Sequence, residues 1–250
     1  MIHIFTSVVN RPDFVELQDK LFRKFLSEEY KFHVIDDSVE IEIATIFKNV
    51  CLKNGIEYYK KPIRTSQLNP AQACADAIQW TYDTIIKENY RNDIIFFTDS
   101  DLFLIDKFDI REYMKDAIIA GLPQKRGEVI YMWNGIMFFD MSKLSDYGID
   151  FSDGIVEGEM TDVGGQTYYY FKRNNIKMKE TDVTYPTHYN DIELQNESVT
   201  KGFNFELHLD GKFLHYRAAT NWHSNWRGTD DPLLRKTKMF NTIINNILTE

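Results

Sequence analysis

The sequence predicts an α/β fold whose parallel sheet turns mixed in its second half. Three observations carry this. Short β runs alternate with helical periods through the first hundred residues, Ile94-Ile95-Phe96-Phe97 is apolar without a break, and closely spaced β runs take over beyond Ala117. An unbroken apolar run suits a strand covered on both faces in the middle of a sheet.

The elements follow in order. Ile2 to Phe5 reads as the first strand. From Asp13, entered through Pro12, the residues Phe14, Leu17, Leu21, Phe22 and Phe25 recur at helical spacing and predict an amphipathic helix. Phe32 to Ile35 is the second strand. Ile43, Ile46, Phe47 and Val50 line a helix that stops at Asn54-Gly55, residues that tolerate the positive φ of a C-terminal cap. Ile56 to Tyr59 is the third strand. Asn69-Pro70 is a cap with proline in the first turn, opening a helix striped by Ala71, Cys74, Ala75, Ile78, Tyr82 and Ile85 that ends near Asn89. After the Ile94–Phe97 strand, Ala117 to Leu122, Val129 to Trp133 and Ile136 to Phe139 read as three strands with short connections. A helix is expected from Thr161-Asp162 to Asn174-Asn175, and a last one from Asp231-Pro232 through Leu233, Phe240, Ile244 and Ile247.

Composition narrows the function classes. The 250 residues carry 29 Lys and Arg against 38 Asp and Glu, a formal charge of −9, with 43% hydrophobic content. A chain this long buries roughly 70 to 75% of its unfolded surface and needs neither disulfides nor a structural metal for a core, so one domain is expected. The acidic balance argues against a nucleic-acid binder, because phosphate neutralisation needs clustered Lys and Arg and the longest basic cluster is Lys60-Lys61. Cys51 and Cys74 lie in helical segments outside any CxxC or Cys/His cluster and read as core thiols. The apolar start Met1 to Thr6 meets Arg11 and Asp13 too early for a signal-peptide core of about 7 to 15 residues. The uncharged stretch Val129 to Phe139 is far short of the ~18 apolar residues of a membrane span. A cytoplasmic, reducing location is expected.

Two nucleotide-binding modes are excluded. The first glycine is Gly55, so the first βα turn holds no glycine fingerprint, and no GxxxxGK[ST] occurs. Instead Asp99-Ser100-Asp101 stands at the carboxyl end of the buried apolar strand, where open α/β sheets place their ligand crevice. A lone DxD in an acidic chain is most often a solvated turn. Here Leu102-Phe103-Leu104 follows directly, so the carboxylates interrupt apolar sequence. Buried charge needs a partner, and a hard cation such as Mg2+ or Mn2+, completed by phosphate oxygens and water, is the obvious one.

In this arrangement the chain resembles the glycosyltransferases of the GT-A fold, in which a DxD after a central strand binds a nucleotide-diphosphate sugar through a divalent ion. The resemblance rests on order: a first strand ending at Thr6-Ser7, a second ending at Asp36-Asp37-Ser38, the Asn69-Pro70 helix, Asp99-Ser100-Asp101, Trp133-Asn134-Gly135 on a strand, Asp162 at a helix start, and Leu214-His215-Tyr216 near the end. It implies a Rossmann-type nucleotide-sugar half (1–105) and an acceptor half (106–228), followed by a C-terminal helix (229–250), around a mixed central sheet flanked by helices. It further implies a Mn2+ or Mg2+ ion on Asp99, Asp101 and His215. The donor would lie against Thr6, Asp36, Asp37, Asn69, Asp99, Ser100, Asn134, Arg217 and Asn221. The acceptor would be a glycan or other hydroxyl compound.

Each of these residues also has a plain structural reading. A histidine between Leu214 and Tyr216 is commonly just packed; Asp36 and Asp37 can be a turn; Arg217, Asn221, Trp222 and His223 can be an exposed loop instead of a diphosphate cover. Trp133, Tyr168, Tyr169 and Tyr170 stack on sugars or fill the core. An inverting transfer needs a base for the acceptor proton, and Asp162 is the first choice, with Glu159 and Glu157 behind it. The bland role for Asp162 is interaction with the helix dipole. Gly164-Gly165 would let an acceptor approach the backbone. His3, His33, His188 and His208 receive no role. Two alternatives stay open: a nucleotidyltransferase making activated sugars, although Thr6 to Asp13 lacks the glycine-rich basic loop such enzymes carry, and a catalytically silent nucleotide- or sugar-binding protein.

Overall fold

The computed structural model describes residues 1–63, 69–196, 204–219 and 232–249. The chain forms two compact units that interleave along the sequence: Met1–Glu16, Glu28–Ser100 and Asp109–Thr181 make the first, and Leu17–Ser27, Asp101–Phe108 and Asp182–Glu250 the second. The chain passes from one to the other between Ser100 and Asp101, inside the DxD.

The first unit is built on a seven-stranded mixed sheet. In chain order its strands are β1 (Ile2–Val8), β2 (Tyr30–Asp36), β3 (Glu57–Lys60), β4 (Ile94–Asp99), β6 (Ile119–Arg126), β7 (Val129–Asp140) and β10 (Lys179–Glu180), with β5 belonging to the second unit. Their spatial order is β10-β6-β7-β4-β1-β2-β3. β3, β2, β1 and β4 are parallel, and β7 runs antiparallel to both β4 and β6. The expected change from parallel to mixed therefore occurs at β7. Moving outward from β1, the chain places β2 and β3 on one side and then returns to place β4 on the other, so the topological switch point lies between β1 and β4. Ser7 pairs with Asp99 there.

Three helices connect the parallel strands. α1 (Pro12–Phe25) begins at the expected proline. α2 (Ile41–Asn54) ends at Gly55, whose φ of 69° is the left-handed cap anticipated from Asn54-Gly55. α3 (Pro70–Thr81) is capped by Asn69, whose side chain accepts the Gln72 N–H at 2.9 Å while the Gln72 side chain accepts the Asn69 N–H, a motif worth about 1 kcal/mol. It continues through a π-helical turn (Tyr82–Ile86) and a last α turn (Lys87–Asn89). Ile78, Tyr82, Ile85 and Ile86 from this segment pack against Phe5, Ile35, Ile95, Phe97, Met137 and Phe139 of the sheet. On the alternate residues Phe96 stacks on Phe138 with centroids 4.3 Å apart. β4 is buried on both faces, and each such large side chain contributes roughly 1.5 to 3 kcal/mol. Cys51 is buried in α2 and Cys74 packs partly buried on the core; neither is in a disulfide.

Two expectations need correction. Val129 to Phe139 is one strand, not two, but its ladder with β6 breaks where foreseen: Met137 faces Gly121 and Met132 faces Pro123, so Trp133–Ile136 form a bulge opposite Leu122. The helix expected from Thr161-Asp162 starts later, as α5 (Thr167–Asn174), after the short helix α4 (Ile110–Met114) and the hairpin β8 (Gly154–Val156) and β9 (Glu159–Thr161). Gly164 prevents the earlier start. Its φ of 89° is incompatible with a helix, and a Cβ there would lie 2.0 Å from the Met132 carbonyl oxygen.

The second unit holds an antiparallel sheet in the order β11-β14-β15-β5, made of β11 (Val183–Thr184), β14 (Glu206–His208), β15 (Phe213–His215) and β5 (Leu102–Leu104). A two-stranded ribbon, β12 (His188–Tyr189) with β13 (Ile192–Glu193), accompanies it. The last helix, α6 (Pro232–Thr249), buries Phe240 against Phe103 and Tyr216, with centroids 4.8 and 5.2 Å away.

Candidate functional site

In the second unit Asp101 and His215 are brought together by strand pairing. Leu102, immediately after Asp101, is the partner of His215 across β5 and β15, and His215 is the partner of Glu206 across β15 and β14. The imidazole therefore lies between two carboxylates. Its Nε2 is 3.3 Å from Asp101 Oδ1, and its Nδ1 is 2.8 Å from Glu206 Oε2. All three residues are buried.

The backbone past His215 closes around Asp101. The Tyr216 N–H donates to the Asp101 carbonyl at 2.8 Å, and the Ala219 N–H donates to Asp101 Oδ2 at 3.0 Å. Between them Arg217 and Ala218 both have φ of 61°, a left-handed conformation costing of order 1 kcal/mol or more at each non-glycine residue. The buried ammonium of Lys236, on α6, holds this corner by donating to the carbonyls of Tyr216 and Arg217, and it lies over the Tyr216 ring at 4.5 Å. Arg217 itself is half-exposed, with Nη1 3.3 Å from Glu206 Oε1.

The charges in this cluster reinforce one another. Burial pushes the Asp101 carboxyl up, but the charge and hydrogen bond of His215 outweigh it and hold it below the usual range. Burial pushes His215 down, and the two carboxylates more than reverse that, raising it to about 10. Glu206 is likewise pushed up by burial and brought well below the ordinary range by His208, His215 and Arg217. Burial pulls Lys236 down to about 7 against the attraction of Asp101. Free of other ligands, the pair is an imidazolium facing a carboxylate.

The donor atoms fit a hard or borderline divalent ion. A buried carboxylate oxygen and an imidazole nitrogen face one another, and the second ring nitrogen is tied to a carboxylate, the outer-shell arrangement that orients metal-ligating histidines. Sequence reasoning missed both Glu206 and Lys236. The Glu206-Leu207-His208 alternation, polar on one strand face, was the available signal for the first; nothing local marked the second.

In the first unit Asp99 is partly exposed at the end of β4, and Ser100 is buried beside it in sequence. Thr6 is buried in β1, and its Oγ1 has no hydrogen-bond partner among the described residues. Asp36 is fully buried: Oδ1 accepts the Ser38 N–H at 2.8 Å, Oδ2 accepts the Tyr58 hydroxyl at 2.7 Å, and Lys60 Nζ is 3.3 Å away. Burial and this carboxylate push the Tyr58 hydroxyl well up, keeping it a donor. Asp37 lies 3.5 Å from Lys61. Asn69 is exposed as the α3 cap.

Asn134 occupies the β7 bulge. Its Nδ2 donates to the Phe151 carbonyl at 3.3 Å, and its buried Oδ1 has no partner among the described residues. Asp162 is exposed on the turn before α5, not in a first helical turn; its N–H donates to the Tyr131 hydroxyl at 3.1 Å and Oδ1 accepts the Val163 N–H at 2.8 Å. Glu159 is exposed on β9, and Glu157 pairs with Lys172 at 2.8 Å. Tyr170 is buried, whereas Tyr169 is exposed. Asn221, Trp222 and His223 lie outside the described residues.

No protein-family model matches the chain, and no curated protein matches it. Among solved structures it is similar to a mannosyltransferase from Pyrobaculum calidifontis in complex with GDP-Man and Mn2+, at 9% identity and a TM-score of 0.49 over 72% of this chain. The chain spans about half, 54%, of that protein's length. It is also similar to the WbbM bifunctional glycosyltransferase, at 12% identity and a TM-score of 0.38, over 57% of this chain and 32% of that one. A third likeness is to the galactosyltransferase LgtC with donor and acceptor sugar analogues, at 12% identity and a TM-score of 0.38, over 57% and 59% of the two chains. No residue role is carried over at these identities. Among the described residues no helix is long and apolar enough to cross a membrane.

Proposed function

We propose that this protein is a metal-dependent glycosyltransferase that moves a sugar from a nucleotide diphosphate to a hydroxyl acceptor. The observation that carries the reading is the buried Asp101, facing a histidine that Glu206 anchors from behind, two residues after Asp99 at the switch point of the sheet. Asp101 and His215, with Asp99, would hold Mn2+ or Mg2+. The ion supplies charge neutralisation for the leaving diphosphate.

The chain's own residues do the rest of the work in this reading. Thr6, Asp36, Asp37, Asn69, Ser100 and Asn134 contact the nucleotide sugar, and Thr6 and Asn134 bring buried oxygens whose partners a ligand hydroxyl would supply. Arg217 and Asn221 cover the diphosphate. Asp162 accepts the proton as the acceptor oxygen bonds to the anomeric carbon and the bond to the diphosphate breaks, with inversion; Glu159 is the substitute base. Apart from the donor contacts of Asn134, Arg217 and Asn221, residues 1–105 serve the donor and 106–228 the acceptor.

Thermal-shift titration with nucleoside diphosphates, with Mn2+ and with chelator, tests the reading. A ligand at 100 times its dissociation constant stabilises the native state by about 2.7 kcal/mol, so a rise confined to Mn2+ is expected, accompanied by donor turnover. No rise in either condition removes the reading, and a rise without turnover leaves a binding protein.

A further inference from the structure

His215 belongs to two donor sets, one through each ring nitrogen. Glu206 and His208 project from the same face of β14, and His215 is the cross-strand partner of Glu206. Glu206 Oε2 is 2.8 Å from His215 Nδ1 and 3.4 Å from His208 Nε2, and one ligand atom from each of the three residues lies within 4.8 Å of the others. All three are buried, His208 completely. Arg217 engages the other oxygen, Oε1, so Oε2 is the one turned to the two rings.

Metal–ligand bonds of about 2.0 to 2.1 Å in a tetrahedral site separate the ligand atoms by about 3.3 Å. The Glu206–His208 distance already has that value, and the Glu206–His215 distance needs about half an ångström of widening. Two imidazoles and one carboxylate suit Zn2+ and its borderline neighbours, leaving a fourth position for water. The Asp101 side offers oxygen plus a single nitrogen, which suits Mn2+ or Mg2+ better. A neutral imidazole has one lone pair: a metal on Nδ1 leaves the proton on Nε2 and turns that nitrogen from a ligand into a donor toward Asp101.

We infer that Glu206, His208 and His215 form a second metal site, selective for a Zn2+-class ion, whose occupation excludes the Mn2+ or Mg2+ ion on Asp101 and His215. The first half, binding, stands on this geometry alone; the second, inhibition, rests on the function proposed above.

The test titrates Zn2+ into metal-free protein against a chromophoric chelator, with Co2+ as a spectroscopic stand-in and Mn2+ binding followed by electron paramagnetic resonance. One Zn2+ per chain is expected, with affinity at least about tenfold weaker in His208→Gln and in His208→Ala and retained in Asp101→Asn. Co2+ should give the intense visible bands of a four-coordinate centre, absent from both His208 variants. Zn2+ should displace Mn2+ from the wild type more effectively than from His208→Gln. Zn2+ binding that survives both His208 variants but is lost in Asp101→Asn overturns the inference, since the ion would then occupy the Asp101 side. So does equal displacement of Mn2+ from wild type and His208→Gln. If Mn2+ does not bind at all, the glycosyltransferase reading fails, while the Zn2+ and Co2+ titrations still decide the second site.

Discussion

His215 faces Asp101 across 3.3 Å because the residue after the aspartate pairs in register with the histidine between β5 and β15. Strand pairing on both sides of the ring fixes the backbone positions from which the two side chains meet. Glu206, from the next strand, removes the ring's remaining freedom.

Replacing Asp101 by Asn should make nucleoside diphosphate binding insensitive to Mn2+ while leaving the fold in place, since the amide still accepts the Ala219 N–H. Titration calorimetry with Mn2+ and with chelator measures this. Wild-type affinity that is the same in both conditions would sink the metal-bridged reading.

The chelated protein should lose stability as pH falls below 6.5 and show only a shallow dependence above it. Burial, with His3 and Lys31 nearby, pulls His33 down to about 3, so between 6.5 and 3 the unfolded chain binds the additional proton and stability falls with falling pH. His215 is raised to about 10, so its contribution is complete below 6.5 and is lost as pH rises through 10, while Lys236, lowered to about 7, adds stability over much of that range because there the unfolded chain holds its proton. Denaturant melts from pH 4 to 10 would show the acid slope and the shallow alkaline limb. His33→Asn should flatten the acid limb, and an unchanged limb would reject His33 as its source.

Asp162→Asn preserves size and the bond to the Val163 N–H but removes the proton acceptor. Transfer should fall by about 10² to 10⁴, with donor and metal affinity near wild type. Full transfer by this variant, or a product that keeps the donor's anomeric configuration by NMR, would show that Asp162 is not the base.

Gly164→Ala should destabilise the protein by on the order of 3 kcal/mol. The added Cβ meets the Met132 carbonyl oxygen at 2.0 Å and Asn134 Oδ1 at 2.6 Å, at a φ of 89°. Urea melts check this; a change below about 1 kcal/mol would mean that the turn carrying Asp162 shifts freely against β7.

What the sequence determined by itself is local. The apolar run Ile94–Phe97 reads as a covered strand, Asn69-Pro70 and Asn54-Gly55 read as helix punctuation, and the two carboxylates of the DxD therefore fall at a strand end. Periodicity and caps act within a few residues, and they are legible for that reason. Tertiary structure decided what Asp101 meets. The register of β5, β14 and β15 is set by which faces bury, not by the propensity of any one strand, and it alone brings Glu206 to His215, the histidine that the order of motifs had already singled out. Lys236 sits on an ordinary helix, yet its ammonium is held inward by the carbonyls of Tyr216 and Arg217 at a corner where Arg217 and Ala218 adopt left-handed backbone. Asp162 was expected in a helix and stands on a turn because Gly164 must pass against the β7 bulge, a close approach between segments that no local pattern records.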